Sequence, residues 1–210
     1  MTKMLIVDDH TVVRDGVKRM FDEQPGTVAF GEASTLHEAI ELVREQDWDI
    51  VVLDLALGAS SGLEVLQELK KLRPKLPVLI LSMYAEEQYA RRAFKAGASG
   101  YITKDCTRAE LVGAVTTVLQ GRKYISPTLA ELLIIDLARG TAQPPHETLS
   151  TREFEVMCLI ASGKTVSEIA NILALSVKTI STYRARILEK MGMKTNAAIT
   201  HYALQNKLVS

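Results

Sequence analysis

Short apolar runs alternate with amphipathic stretches through the first 120 or so residues, and then the alternation stops. The apolar runs fall at residues 4–7, 27–30, 50–53, 78–82 and 99–102, each only four or five residues long. The clearest of them are dominated by Val, Ile and Leu, and runs of this length and composition read as strands of a parallel sheet buried on both faces. Between and after them, residues 14–22, 36–45, 63–72, 86–95 and 108–119 place apolar side chains at helical spacing. Five strand–helix units in this order predict an α/β doubly wound fold around a five-stranded parallel sheet.

The remainder has a different rhythm. Residues 127–137 read as one apolar connecting helix, with Pro127 near its start, where a missing N–H costs nothing. Residues 140–147 have no periodicity, and the tandem Pro144-Pro145 favours an extended linker. From residue 149 onward four helical stretches and no strand are expected. Ser150 or Thr151 caps the first, which Gly163 ends. The second spans 165–173 and turns at Ala174-Leu175. The third starts at Ser176 and ends before Gly192, and the fourth spans 196–206. The sequence thus divides into an α/β domain at 1–122, a connector at 123–148 and an all-α four-helix domain at 149–210.

Charge sharpens this division. The whole chain is formally neutral, with 25 basic and 25 acidic residues, but residues 150–210 carry eight Lys and Arg against four Asp and Glu. A basic C-terminal module suits an anionic polymer. No apolar run approaches the length that spans a bilayer, no signal peptide is expected before the first strand, and Cys106 and Cys158 make no metal-ligand spacing. A cytoplasmic protein with free thiols is expected. The four histidines are scattered, which gives a histidine-based metal site little support.

Chemistry concentrates at the strand ends. Asp8-Asp9 follows the first strand, Asp54 the third, Ser82 closes the fourth and Lys104 follows the fifth. In an open α/β sheet the C-terminal strand ends meet at the edge where ligands bind. One acid after a strand is usually a loop residue or a helix cap. Three acids, a hydroxyl and an ammonium on one edge are much harder to assign to chance. Crowded carboxylates repel and call for a cation, and their oxygen ligands suit Mg²⁺. A carboxylate nucleophile forming an acyl phosphate, with the lysine neutralising charge and the hydroxyl donating to a phosphoryl oxygen, makes this a phosphoryl-transfer site.

These motifs carry a resemblance. Leu5-Ile6-Val7-Asp8-Asp9-His10, Val52-Leu53-Asp54-Leu55, Ser82 and the run from Gly97 to Asp105 make residues 1–122 similar to the receiver domain of two-component response regulators. The resemblance implies Asp54 as phosphoacceptor from a sensor histidine kinase. It implies Mg²⁺ held by Asp8, Asp9, Asp54 and the backbone carbonyl of Ala56, a switch pair of Ser82 and Tyr101, and a phosphoryl contact from Lys104. Lys104-Asp105, where many receivers have Lys-Pro, points to the NarL/FixJ subgroup. The chain departs from the pattern after the nucleophile, where Gly58 stands in place of a proline and Ala56 offers no side-chain function. A looser loop is expected there, because Gly lacks proline's φ restriction.

In the C-terminal module the third helix is the informative one. Ile180, Tyr183, Ile187 and Met191 share one face, whereas Lys178, Ser181, Thr182, Ala185 and Glu189 lie opposite, flanked by Arg184 and Arg186. A short helix, a tight turn and a basic helix are the geometry of a helix-turn-helix unit that enters the major groove. A charge run is usually a solvated face, and charge alone leaves the odds near even. The tight turn shifts them toward duplex DNA. Residues 149–209 also resemble the LuxR-type DNA-binding domain, through Leu149-Ser150-Thr151-Arg152-Glu153, Ser167-Glu168-Ile169-Ala170 and the run from Ser176 to Leu188. Many members have Lys at the position of Ser181. The resemblance implies a dimeric transcription factor with Lys178, Ser181, Thr182, Arg184 and Arg186 as DNA contacts, and it leaves RNA polymerase open as a partner. An enzyme is not expected. A phosphohydrolase of the haloacid-dehalogenase type carries an acid at the position of Ala56. The other alternative is a phosphorylation-independent regulator that uses the receiver only as a dimerisation platform.

Overall fold

The computed structural model describes residues 1–22, 27–57, 60–84, 86–127, 129–131, 144–206 and 208–209. The chain divides into two units, Met1–Ala130 and Glu131–Ser210.

In the first unit five parallel strands form one sheet in the order β2-β1-β3-β6-β7, where β1 is Thr2–Val7, β2 Val28–Ala33, β3 Ile50–Leu53, β6 Val78–Ser82 and β7 Gly100–Thr103. Strands of this sheet that follow one another along the chain are joined through a helix: α1 (Thr11–Phe21), α2 (Leu36–Glu45), α3 (Gly62–Leu72) and α4 (Glu86–Lys95), with α5 (Arg108–Leu119) following β7. The order reverses direction beside β1, the switch point at which ligands bind in such sheets. Residues 4–7, 50–53 and 78–82 are buried throughout, as expected for strands covered on both faces. On one side, Met4, Ile6, Ile50, Val52, Leu79 and Leu81 pack with Val17 and Phe21 of α1 and with Leu111, Val115 and Val118 of α5. Side-chain caps punctuate the helices. Thr35 accepts from the Glu38 N–H, and Ser61–Glu64 and Thr107–Glu110 form capping boxes.

Three local features differ from the sequence reading. Helix α1 starts at Thr11, because a first turn of Thr11-Val12-Val13 is weakly helical by itself and is formed in context. Strand β2 runs on to Ala33, held by continuous pairing with β1 from Thr2↔Val28 to Val7↔Ala33. The loop after Asp54 is paired where looseness was expected: β4 (Ala56–Leu57) and β5 (Ser60–Ser61) form a short antiparallel ladder. Gly58 and Ala59 lie outside the described residues.

Ser126 starts the expected connecting helix by accepting from the Leu129 N–H, and residues 127 and 129–131 are helical. The rest of that helix, and the linker up to residue 143, lie outside the described residues. Pro145–Thr148 is a turn of 3₁₀ helix where an extended linker was expected. His146 hydrogen-bonds the Tyr202 hydroxyl at 2.8 Å and packs on Phe154, so local contacts outweigh the preference of the tandem prolines.

In the second unit the described helices are α6 (Thr151–Ala161), α7 (Val166–Ile172), α8 (Val177–Lys190) and α9 (Asn196–Gln205). Ser150, Thr165, Ser176 and Thr195 cap them in turn. Phe154, Met157, Ile169, Ile180, Ile187, Ile199 and Ala203 form the interior, with α6 packed on α8 and α9 and α7 on α8. Ala174 takes a positive φ of 51° in the turn between α7 and α8, and Gly163 and Gly192 take positive φ at the ends of α6 and α8.

Candidate functional site

Strand register builds the acidic edge. Val7 of β1 is level with Leu53 of β3, and Leu53 with Ile80 of β6, which is level with Tyr101 of β7. The next residue along therefore places Asp8 beside Asp54, and the Asp54 N–H donates to the Val7 carbonyl at 2.9 Å. Ser82 pairs with Thr103, and the Lys104 N–H donates to the Ser82 carbonyl at 2.8 Å. Four strand ends thus deliver Asp8, Asp9, Asp54, Ser82 and Lys104 to one place.

The side chains close the arrangement. Asp8 and Asp54 are each only 2% exposed. The Lys104 ammonium bridges them, 2.7 Å from Asp8 Oδ2 and 2.7 Å from Asp54 Oδ2. Burial pushes the Asp54 carboxyl above its usual range, and the Lys104 ammonium only partly offsets this. Burial works against the charge on Lys104, but hydrogen bonds to Asp54 and Asp8 outweigh it and raise its pKa. Asp54 Oδ1 is buried and has no hydrogen-bond partner among the described residues. Such an oxygen is costly unless something else satisfies it.

Asp54 also belongs to a donor set whose chemistry fits a divalent cation. Asp8, Asp9, His10 and Asp54 each offer one ligand atom, all within 4.8 Å of one another. His10 was not foreseen in this group. Its N–H donates to Asp8 Oδ1 at 2.8 Å, and its Nδ1 lies 2.7 Å from Asp9 Oδ1. Adjacency to the acid pair was the only signal in the sequence. Gly62 opens α3 against the Asp54 carbonyl, which a Cβ would approach to 2.2 Å, so only glycine lets the helix start this close to the site.

Ser82 is fully buried, and its Oγ accepts from the Tyr84 N–H at 3.2 Å. Tyr101 is also fully buried, and its hydroxyl donates to the Tyr84 carbonyl at 2.8 Å. Its ring therefore occupies an interior position in the unmodified chain. Tyr84 thus links the two expected switch residues, a role carried by its main chain and invisible in its residue type.

The outer face of α8 is organised differently. Lys178, Ser181, Thr182 and Arg186 are exposed and Arg184 is half-buried. The Ser181 hydroxyl donates to the Val177 carbonyl at 2.9 Å, and that of Thr182 to the Lys178 carbonyl at 3.0 Å. Arg184 Nε donates to Asn196 Oδ1 at 2.6 Å, a partner the sequence reading did not assign. Among the described residues no hydrogen bond or ion pair engages the side chain of Lys178 or Arg186.

A doubly wound sheet with an acid-lysine edge, followed by a helix-turn-helix unit, defines a receiver coupled to a DNA-binding module. Comparison with known proteins agrees for both parts. The response regulator receiver domain family matches residues 4–116, and the LuxR family of bacterial regulatory proteins matches residues 147–203. Response regulator GacA of Pseudomonas aeruginosa is 34% identical over 214 residues, covering 100% of this chain and 98% of that protein. Response regulator UvrY of Escherichia coli K12 is 30% identical over 209 residues, covering 99% and 96%. Among solved structures, a LuxR-family two-component response regulator from Aurantimonas sp. SI85-9A1 aligns with a TM-score of 0.60 at 38% identity, over 66% of this chain and 99% of that one. RcsB of Salmonella enterica serovar Typhimurium, bound to the rprA promoter with a phosphomimetic, aligns with a TM-score of 0.64 at 26% identity, over 96% and 97%. The chain belongs to the NarL/FixJ family of two-component response regulators, transcription factors that join a receiver to a LuxR-type DNA-binding domain. Among the described residues no helix is long and apolar enough to cross a membrane.

Proposed function

We propose that Asp54 is the phosphoacceptor of this regulator, and that its phosphorylation by a sensor histidine kinase raises dimer content and affinity for duplex DNA. The observation that carries the reading is the Asp54 carboxylate: buried, held at one oxygen by Lys104 and, among the described residues, without a hydrogen-bond partner at the other. A carboxylate oxygen of Asp54 attacks phosphorus, the imidazole of the kinase phosphohistidine leaves, and an acyl phosphate results. Lys104 neutralises charge on the incoming group, and the Ser82 hydroxyl turns from Tyr84 to donate to a phosphoryl oxygen. Asp8, Asp9, Asp54 and the Ala56 carbonyl would hold Mg²⁺, which supplies the positive charge that phosphoryl transfer needs.

Tyr84 and Tyr101 respond to Ser82 through the hydrogen bonds described, so the acyl phosphate biases an equilibrium in which the inward Tyr101 is one state. Lys178 and Arg186, with Arg184, meet phosphates, whereas Ser181 and Thr182 face base edges. The RcsB dimers solved on two parallel DNAs support a dimer as the bound form. Pairing two basic modules raises affinity through effective concentration. A regulator of this kind works in the cytoplasm, where its DNA lies.

Intact-mass measurement with acetyl phosphate and Mg²⁺ tests the nucleophile. One phosphoryl adduct is expected on the wild type, none on Asp54→Asn, and little on Asp9→Ala. An adduct that persists in Asp54→Asn would mean another residue accepts the phosphoryl group. Repeated turnover of a phosphomonoester would favour the phosphohydrolase alternative.

A further inference from the structure

We infer that Arg14, oriented by Glu32, is a positioning residue for the Asp8–Asp9 pair and thereby sets the affinity of the acidic edge for a divalent cation; this rests on reading that edge as a cation-dependent phosphoryl acceptor. Arg14 lies in α1, and only 13% of its side chain is exposed. Its guanidinium spans three acceptors. Nη1 donates to the Asp8 carbonyl at 2.7 Å, Nε to Glu32 Oε2 at 2.8 Å and Nη2 to Thr11 Oγ1 at 3.2 Å. Lys18 in turn holds the other Glu32 oxygen at 2.7 Å, and also pairs with Asp15. Lys18 and Arg14 together keep the Glu32 carboxyl below its usual range, so it stays charged and keeps its grip on the guanidinium.

The geometry gives this cluster a task at the site. The Asp8 N–H donates to the Ala33 carbonyl of β2 at 3.0 Å, and Glu32 precedes Ala33 on the same strand. Edge strand β2 therefore controls the Asp8 main chain twice, directly at the N–H and through Glu32 and Arg14 at the carbonyl. A peptide unit is planar, so fixing the Asp8 carbonyl also fixes the direction in which Asp9 leaves the strand. Asp8 has its side chain held by His10 and Lys104, but Asp9 is exposed and touches only His10 among the contacts described. Its placement depends on the peptide that Arg14 holds. A planar fork can reach three acceptors at once, which a lysine ammonium on the same helix cannot reproduce.

The test separates positioning from simple stabilisation by measuring Mg²⁺ itself. Isothermal titration of the full chain should show Arg14→Ala, Arg14→Lys and Glu32→Ala each raising the Mg²⁺ Kd by about 10-fold, the scale at which supporting groups act on metal ligands. Phosphoryl uptake from acetyl phosphate should need correspondingly more Mg²⁺ and return to within about twofold of wild type at saturation. Glu32→Ala alters only an edge-strand side chain and reads the same effect should Arg14→Ala fold poorly. An unchanged Mg²⁺ Kd in the folded variants, with any loss confined to thermal stability, would overturn the inference, as would reduced uptake at saturating Mg²⁺ with an unchanged Kd. A wild-type chain that neither binds Mg²⁺ nor takes up phosphoryl would place the fault in the site reading and not in Arg14.

Discussion

Asp8 and Asp54 are almost wholly buried and share one ammonium, whereas the side chains of Lys178 and Arg186 stand in solvent with no partner among the described residues. The receiver edge is a desolvated cluster in which every group alters its neighbours. The face of α8 is a set of independent side chains on a capped helix. In the first, removing one group leaves others buried without compensation. In the second, removing one group subtracts one contact. The difference follows from dielectric surroundings: charge interactions are strong and coupled out of water, weak and additive in it.

The largest effect should therefore come from the edge. Lys104→Ala leaves two buried carboxylates facing each other and should destabilise the first unit by about 3–5 kcal/mol at neutral pH in metal-free buffer. Added Mg²⁺ should restore part of that loss, since a ligand that binds only the folded state stabilises it. Denaturant melts followed by Trp48 fluorescence read both numbers. A loss below about 1 kcal/mol would show the cluster to be as loosely coupled as a surface pair.

On α8 the expected changes are smaller and additive. Arg186→Ala should weaken binding to every duplex by a similar factor and reduce the salt-dependence slope by about one unit. Arg184→Ala should act in the same direction but less, because Asn196 already engages its Nε. Fluorescence anisotropy across a salt series measures both. A change confined to one base pair would mark that arginine as a base reader and break the additive picture.

The smallest effect concerns Glu153. Burial works to raise its carboxyl, but Lys190 at 2.6 Å and the Ser150 donors outweigh it and hold it below the usual carboxylate range. A depressed carboxyl contributes stability above its unfolded pKa of about 4.3, and that contribution is lost as pH falls through the folded value. Glu153→Gln should be less stable than wild type at pH 7, and the gap should close once the pH drops below the carboxylate range. Hydrogen exchange in α6 and α8 reads this, and a gap that persists in acid would assign it to packing instead.

Sequence and structure agree where a periodic pattern controls the outcome. The strand runs set the register, and register alone brings Asp8, Asp54, Ser82 and Lys104 together, so that site was legible before any coordinates. What escaped was work done by the main chain or across long separations. Tyr84 acts through its peptide, Arg14 reaches the Asp8 carbonyl and Glu32, and Asn196 reaches back twelve positions to Arg184. None of these leaves a periodic trace. The 3₁₀ turn at Pro145–Thr148 escaped for a related reason, since its anchor, Tyr202, lies in the last helix. On α8 the residue types were legible, but not that Ser181 and Thr182 turn their hydroxyls onto their own helix.

The central claim is that a phosphoryl group on Asp54 controls DNA binding by the basic face of α8. Its most direct test is the DNA affinity of the full-length chain, unmodified and after phosphorylation by acetyl phosphate, compared at one salt concentration with Asp54→Asn treated identically. Higher affinity and a larger dimer fraction are expected for the phosphorylated wild type alone, with a gain of at least about 10-fold for a coupling of this kind. Equal affinity of the phosphorylated and unmodified proteins would contradict the account and leave the receiver as a phosphate-independent dimerisation platform.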